Sequence, residues 1–181
     1  MKNYKGNSFF RKKQQVIAGF SLVELAVVMA LIGILSAIAI PNIMGWMPGI
    51  RLRDSSHQLL SDFYMAKSEA IKRNRNVVVA FTSVNCVPDV PDGAGSYRVF
   101  IDDGKDGGTA KNNILDGGEI ILLNKTMQKD CALCSETFGG EIGFQPTGVP
   151  VGLENGTAKL SNTRSRSYSI AVNAAGNISL N

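Results

Sequence analysis

The side chains with the most chemistry to offer are three cysteines, Cys86, Cys131 and Cys134. Cys131-Ala-Leu-Cys134 has the CxxC spacing of redox and metal motifs, but Ser135 stands where c-type haem attachment needs His. Zinc would need further ligands, and the single His, His57, lies far away in sequence. A redox pair would want a thioredoxin-like βαβ context, which is absent. The expected role is a structural disulfide, either Cys131 to Cys134 or Cys86 to one of them, since three thiols cannot all pair. A second cluster, Asp102, Asp103, Asp106, Asp116 and Glu119, lies in a Gly-rich stretch, and Ca²⁺ takes several such oxygens. In an EF-hand frame Gly104 would bring no side-chain ligand, and no Glu stands at the closing position. Asp and Gly are also the ordinary material of turns. A solvated turn is therefore expected, with calcium on Asp102, Asp106, Asp116 and Glu119 as the alternative. Arg164 and Arg166 would share one face only if both lay on a strand facing solvent, the condition under which they could touch phosphates. With one His on a helix there is no Ser–His or Cys–His pair, and no GxxxxGK[ST] loop occurs. Neither enzyme activity nor a cofactor is expected.

The elements that carry these residues divide the chain sharply. Its 181 residues have a formal charge of +4. Residues 1–19 hold Lys2, Lys5, Arg11, Lys12 and Lys13 and no acid, so the remainder, with 14 basic and 15 acidic residues, is net −1. The basicity belongs to a leader, which argues against a nucleic-acid-coating protein. Phe20–Ile40 then runs FSLVELAVVMALIGILSAIAI with Glu24 as its only charge. As a helix it would rise roughly 30 Å, the thickness of a bilayer's hydrocarbon core. No small-residue cleavage site follows Ile40, so a retained membrane helix is expected rather than an ordinary signal peptide. The upstream positive charges place its start in the cytoplasm, and everything beyond it is exported into an oxidising compartment. Glu24 has two readings. Ser21 and Glu24 fit the capping box S-x-x-E, and an apolar environment also favours pairing with a positive charge from another subunit.

KKQQVIAG/FSLVELAVVMALIGILSAIAIP resembles the class III signal of type IV prepilins and type II secretion pseudopilins. The resemblance implies that prepilin peptidase cuts between Gly19 and Phe20, and that Phe20 becomes the N-methylated first residue. It also implies that Glu24 neutralises a neighbour's amino terminus in a filament. Gly33 falls at a common small site in the family's helix, and Pro41 at its usual helix-breaking position.

Beyond Pro41 the helical pattern resumes, with Leu52, Leu59, Phe63, Ala66 and Ala70 on one face and a Glu69–Arg73 pair outside. Pro41, Gly45, Pro48 and Gly49 are expected to kink or melt the helix between its two halves. After Asn76 come 14 of the 19 glycines and short apolar runs at 77–82, 97–101, 119–123, 141–145, 157–160, 168–172 and 177–180, which read as strands. The expected fold is α+β, a long N-terminal hydrophobic helix packed on a small antiparallel β-sheet domain. Its parts would be a leader (1–19), a membrane and filament-core helix (20–50), an amphipathic second half (51–76) and an exported β-rich domain (77–181).

The segments AKSEAIKR (66–73), YRVFIDDGKDGG…LDGGEIILL, FQPTG (144–148) and YSIAVNAAGNISL resemble the GspH/FimT branch of minor pilins and pseudopilins. That likeness implies a minor pilin that joins or primes a type IV pilus, with an H-type type II secretion pseudopilin as the alternative. The implied partners are prepilin peptidase, other pilins or pseudopilins, and the inner membrane. Some FimT-like pilins resemble DNA-uptake receptors through a Gly-Arg-x-Arg motif. The aligned Gly176-Asn177-Ile178-Ser179 lacks both arginines, and residues 77–181 hold 8 basic against 11 acidic residues, so nucleic acid is not an expected partner.

Overall fold

The computed structural model describes residues 19–181 apart from Pro88 and Glu154. Of the expected leader, only Gly19 is among the described residues. The chain divides into two compact units, Met1–Asn42 and Ile43–Asn181.

In the first unit, helix α1 (Leu22–Arg73) begins behind Ser21. The Ser21 hydroxyl accepts the Glu24 amide at 3.1 Å, which satisfies one of the donors that every helix start leaves free. The large apolar side chains from Leu22 to Ile40 are all exposed. No part of the most apolar window is buried in protein, so this face needs another apolar environment.

Helix α1 continues through Pro41, Gly45, Pro48 and Gly49, where melting is expected from the residue types. A proline deletes one backbone hydrogen bond, and an interior glycine costs about 1 kcal/mol relative to Ala. These losses are local. On the far side of the stretch, burial of Leu52, Leu59 and Phe63 holds the helix, each side chain contributing about 1.5–3 kcal/mol.

The second unit places the last turns of α1 against two antiparallel sheets. One has the order β3-β2-β1-β5, built from β1 (Asn76–Thr82), β2 (Ser96–Asp102), β3 (Ile121–Thr126) and β5 (Glu141–Phe144). The other has the order β4-β6-β7-β8, built from β4 (Cys131–Glu136), β6 (Gly156–Asn162), β7 (Ser167–Val172) and β8 (Ile178–Leu180). The helix face expected from the spacing is the buried one, since Leu52, Leu59, Phe63, Ala66 and Ala70 are at most 1% exposed. Phe63 is the centre of an aromatic cluster. Its ring centroid lies 5.9 Å from Phe81, 6.2 Å from Phe138 and 6.2 Å from Phe144. Gly156 is required beneath this cluster, because a Cβ there would sit 2.1 Å from Phe138 Cδ1.

Two strand expectations need correction. The run at 119–123 becomes a strand only from Ile121, because Glu119 turns inward to accept backbone amides of the preceding loop. Strand β4 was not expected at all. CALCSE carries no β-branched residue, and its pairing with β6, which holds Cys131 opposite Asn162, is a long-range contact that local propensity does not report. The sheet layer is therefore two four-stranded sheets rather than one.

Candidate functional site

The N-terminal residues singled out for assembly lie at the start of the first unit. Gly19, Phe20, Ser21 and Glu24 are exposed, Phe20 by 86%. The capping box is half formed. Ser21 caps the helix, while no return bond from the Glu24 carboxylate occurs among the described residues. Glu24 makes no ion pair among the described residues either. An unpaired carboxylate in an apolar stripe is unfavourable, and a cation brought by a partner relieves that penalty.

The cysteines resolve into one bridge and one buried thiol. Cys86 is bonded to Cys134, with the Cα atoms 5.3 Å apart, and Cys131 is free. The bridge ties the long β1–β2 connection to β4, in the other sheet. Cys131 is fully buried, and burial pushes its thiol above the usual range, so it is an inert core residue rather than a redox partner.

The acidic loop is occupied by its own backbone. Asp102 accepts the amides of Lys111 and Asn113, the latter at 2.8 Å. Asp116 accepts the Thr109 amide at 3.0 Å and the Asn112 side chain at 2.9 Å. Glu119 accepts the Gly104 amide at 3.0 Å and that of Asp116 at 3.3 Å. Lys105 lies 3.4 Å from Asp103. The Asp106 side chain is outside the described ones. No group of three His, Cys, Asp or Glu residues converges on a metal position among the described residues. These carboxylates order a turn in which Lys111 and Asn113 have positive φ, which is work that short polar side chains do in loops.

Arg164 and Arg166 do not meet the condition of a shared strand face. They sit on the turn between β6 and β7, not on a strand. Asn162 organises that turn, its Oδ1 accepting the Arg164 amide at 3.1 Å and the Arg166 amide at 2.9 Å. The guanidinium groups come to rest over bare helix backbone, near 3.8 Å and 3.9 Å from where Cβ atoms of Gly45 and Gly49 would be. His57 is an exposed helix residue.

One polar cluster had no signal in the sequence beyond its residue types. Buried Asp62 of α1 accepts Tyr97 Oη at 2.6 Å, Lys125 Nζ at 3.0 Å and Gln58 Nε2 at 3.0 Å. It links the helix to β2 and β3, and its three donors make a buried carboxylate tolerable. Burial and the Asp62 charge hold the Tyr97 hydroxyl well above its ordinary value. Two further bonds fix α1 to the C-terminal segment, from Tyr64 to the Ile178 carbonyl at 2.9 Å and from Lys67 to the Gly176 carbonyl at 2.8 Å. These groups position the helix, and none is arranged for catalysis.

Residues 55–176 match the model of the family described as type II transport protein GspH. The chain belongs to the GspH-like pilin and pseudopilin family. A fimbrial protein of Pseudomonas aeruginosa is 31% identical over an alignment of 148 residues that covers 73% of this chain and 96% of the relative. A second fimbrial protein of that organism is 30% identical over the same shares. The fold is that of the type IV minor pilin FimU of P. aeruginosa, with TM-score 0.51 and 14% identity over 72% of this chain and 87% of FimU. It is equally that of the minor pseudopilin EpsH of the Vibrio cholerae type 2 secretion system, with TM-score 0.51 and 10% identity over 72% of this chain and 96% of EpsH. Family membership and the exposed apolar helix together make this GspH-like chain a single-pass, membrane-anchored protein that associates with other pilins or pseudopilins.

Proposed function

We propose that this protein is a minor pilin of a type IV pilus. The observation that carries the reading is the 31% identity to a fimbrial protein across 96% of that protein's length, which exceeds what a shared N-terminal helix contributes. In this reading the chain is inserted in the inner membrane by residues 20–40, with its second unit on the periplasmic side. Prepilin peptidase cuts between Gly19 and Phe20, and the new amino terminus at Phe20 is methylated. The apolar helix then leaves the bilayer for the filament, packing on neighbouring helices, and Glu24 pairs with the amino terminus of an adjacent subunit. That pairing sets register, because a lone carboxylate in an apolar bundle is tolerated only opposite its cation. Pro41 lies within the filament-core helix, directly after its apolar run.

The likeness to EpsH supports a second reading, an H-type pseudopilin that helps protein export. Counting surface pili in a deletion strain, with complementation, separates the two. Loss of pili restored by the gene supports the pilus reading. Intact pili with a failure of exoprotein release replace it by the pseudopilin.

A further inference from the structure

Within the second unit, a groove of about 520 Å³ separates the Gly45–Arg53 stretch of α1 from the β6–β7 turn. Arg53, Arg164 and Arg166 all line it, and all three are exposed. None forms an ion pair among the described residues, and the nearby carboxylate of Asp130 is already taken by Arg51. The three exposed cations thus line one cleft with no ion-paired carboxylate among the described residues, a local positive potential that an anion would meet.

A second observation points to the same ligand chemistry. Asn162 lines the groove and is 0% exposed. Its Oδ1 is fixed by accepting the Arg164 and Arg166 amides, which settles the orientation of the side-chain amide. Its Nδ2 is then a buried donor with no acceptor. Buried donors are nearly always satisfied, so this one calls for an acceptor brought from outside the chain. Two aromatic rings flank the cations. Trp46 is 65% exposed and Tyr168 is 37% exposed.

We infer that this groove binds the phosphodiester headgroup of an anionic phospholipid. Gly45 follows Ile40 by five residues, at most about 18 Å of chain, so the groove cannot stray far from the bilayer that holds the apolar run. Trp and Tyr beside Arg are the residue types of the membrane–water interface. A longer polyanion fits less well, because residues 77–181 carry 8 basic and 11 acidic residues and would repel it outside the cleft. A single headgroup meets only the local positive charge.

The inference rests on the reading that residues 20–40 lie in a membrane, and the test keeps the two apart. Trp46 is the only tryptophan in the chain, so its fluorescence reports this groove alone. The full chain is reconstituted in phosphatidylcholine vesicles containing a minor share of phosphatidylglycerol, with bromine quenchers on the acyl chains of one lipid or the other. Brominated phosphatidylglycerol should quench Trp46 several-fold more than its mole fraction predicts. The double variant Arg164→Gln/Arg166→Gln should bring quenching down to the mole-fraction share. Because Asn162 holds the backbone amides of both positions, the turn survives the change. Arg164→Lys/Arg166→Lys should restore most of the excess. Quenching in proportion to mole fraction in the unaltered protein overturns the headgroup site. Absence of quenching by either lipid overturns the membrane placement as well. Excess quenching abolished by an equal phosphate concentration of oligonucleotide reassigns the cations to nucleic acid.

Discussion

Removing the Cys86–Cys134 bridge should be the largest single loss of stability that leaves every core side chain in place. The bond spans 48 residues of sequence and joins the β1–β2 connection to β4 in the second sheet. Chain entropy for a loop of this length gives about 4 kcal/mol of stabilisation by restricting the unfolded state. For a folded unit of this size that corresponds to a fall of about 10–15 °C in the thermal midpoint. The perturbation is Cys86→Ser/Cys134→Ser, which leaves no unpaired partner thiol. Near-UV circular dichroism of the full chain in detergent would follow the transition. Thiol titration supplies the internal check. The native unreduced protein should show no reactive thiol, because Cys131 is fully buried and its thiol is pushed up by burial. Unfolded without reductant, it should label at Cys131 alone. A midpoint shift below about 3 °C would show that the bridge does not restrain the unfolded chain as argued. Label appearing on Cys86 or Cys134 before reduction would refute the pairing itself.

Phe63→Ala should cost about 3–5 kcal/mol by urea denaturation, since it empties the centre of the cluster with Phe81, Phe138 and Phe144. A loss below about 1.5 kcal/mol would mean the rings collapse into the space. The Tyr97 hydroxyl keeps its proton in the native state above its ordinary value of 10.0, whereas the unfolded chain releases it there. The native state then binds more protons, so stability falls as pH rises past that value. Tyr97→Phe should flatten that alkaline slope while costing about 1.5–3 kcal/mol at neutral pH, because Asp62 loses a donor. An unchanged slope in the variant would place the titration elsewhere. Glu24→Ala should leave membrane insertion and leader cleavage intact but lower the amount of protein recovered in purified filaments. Normal recovery would remove the pairing role given to this carboxylate.

Much of the architecture could be read from neighbouring residues. Ser21 as a helix cap, the buried face Leu52–Leu59–Phe63–Ala66–Ala70 and the Glu69–Arg73 pair follow from spacings of three and four, and all are present. Strands β1, β2, β5, β6, β7 and β8 lie where short apolar runs are bounded by Gly, Asn and Pro. What those runs conceal is partnership. Strand β4 exists because β6 pairs with it, and it pulls Cys131 into the core while leaving Cys134 to meet Cys86. The CxxC spacing, which suggests a local pair, is misleading for that reason.

The boundary between the two kinds of knowledge follows the range of the forces involved. The basic first 19 residues, the single charge in a membrane-length apolar run and the helical stripe beyond it are properties of adjacent residues, and each is visible as composition or period. The split into two sheets, the choice of disulfide partner, the three donors around Asp62 and the arginines laid over Gly45 and Gly49 join residues tens of positions apart. Loop closure between such residues is offset only when the whole core forms, so these features have no local signature and come into being with the packed fold.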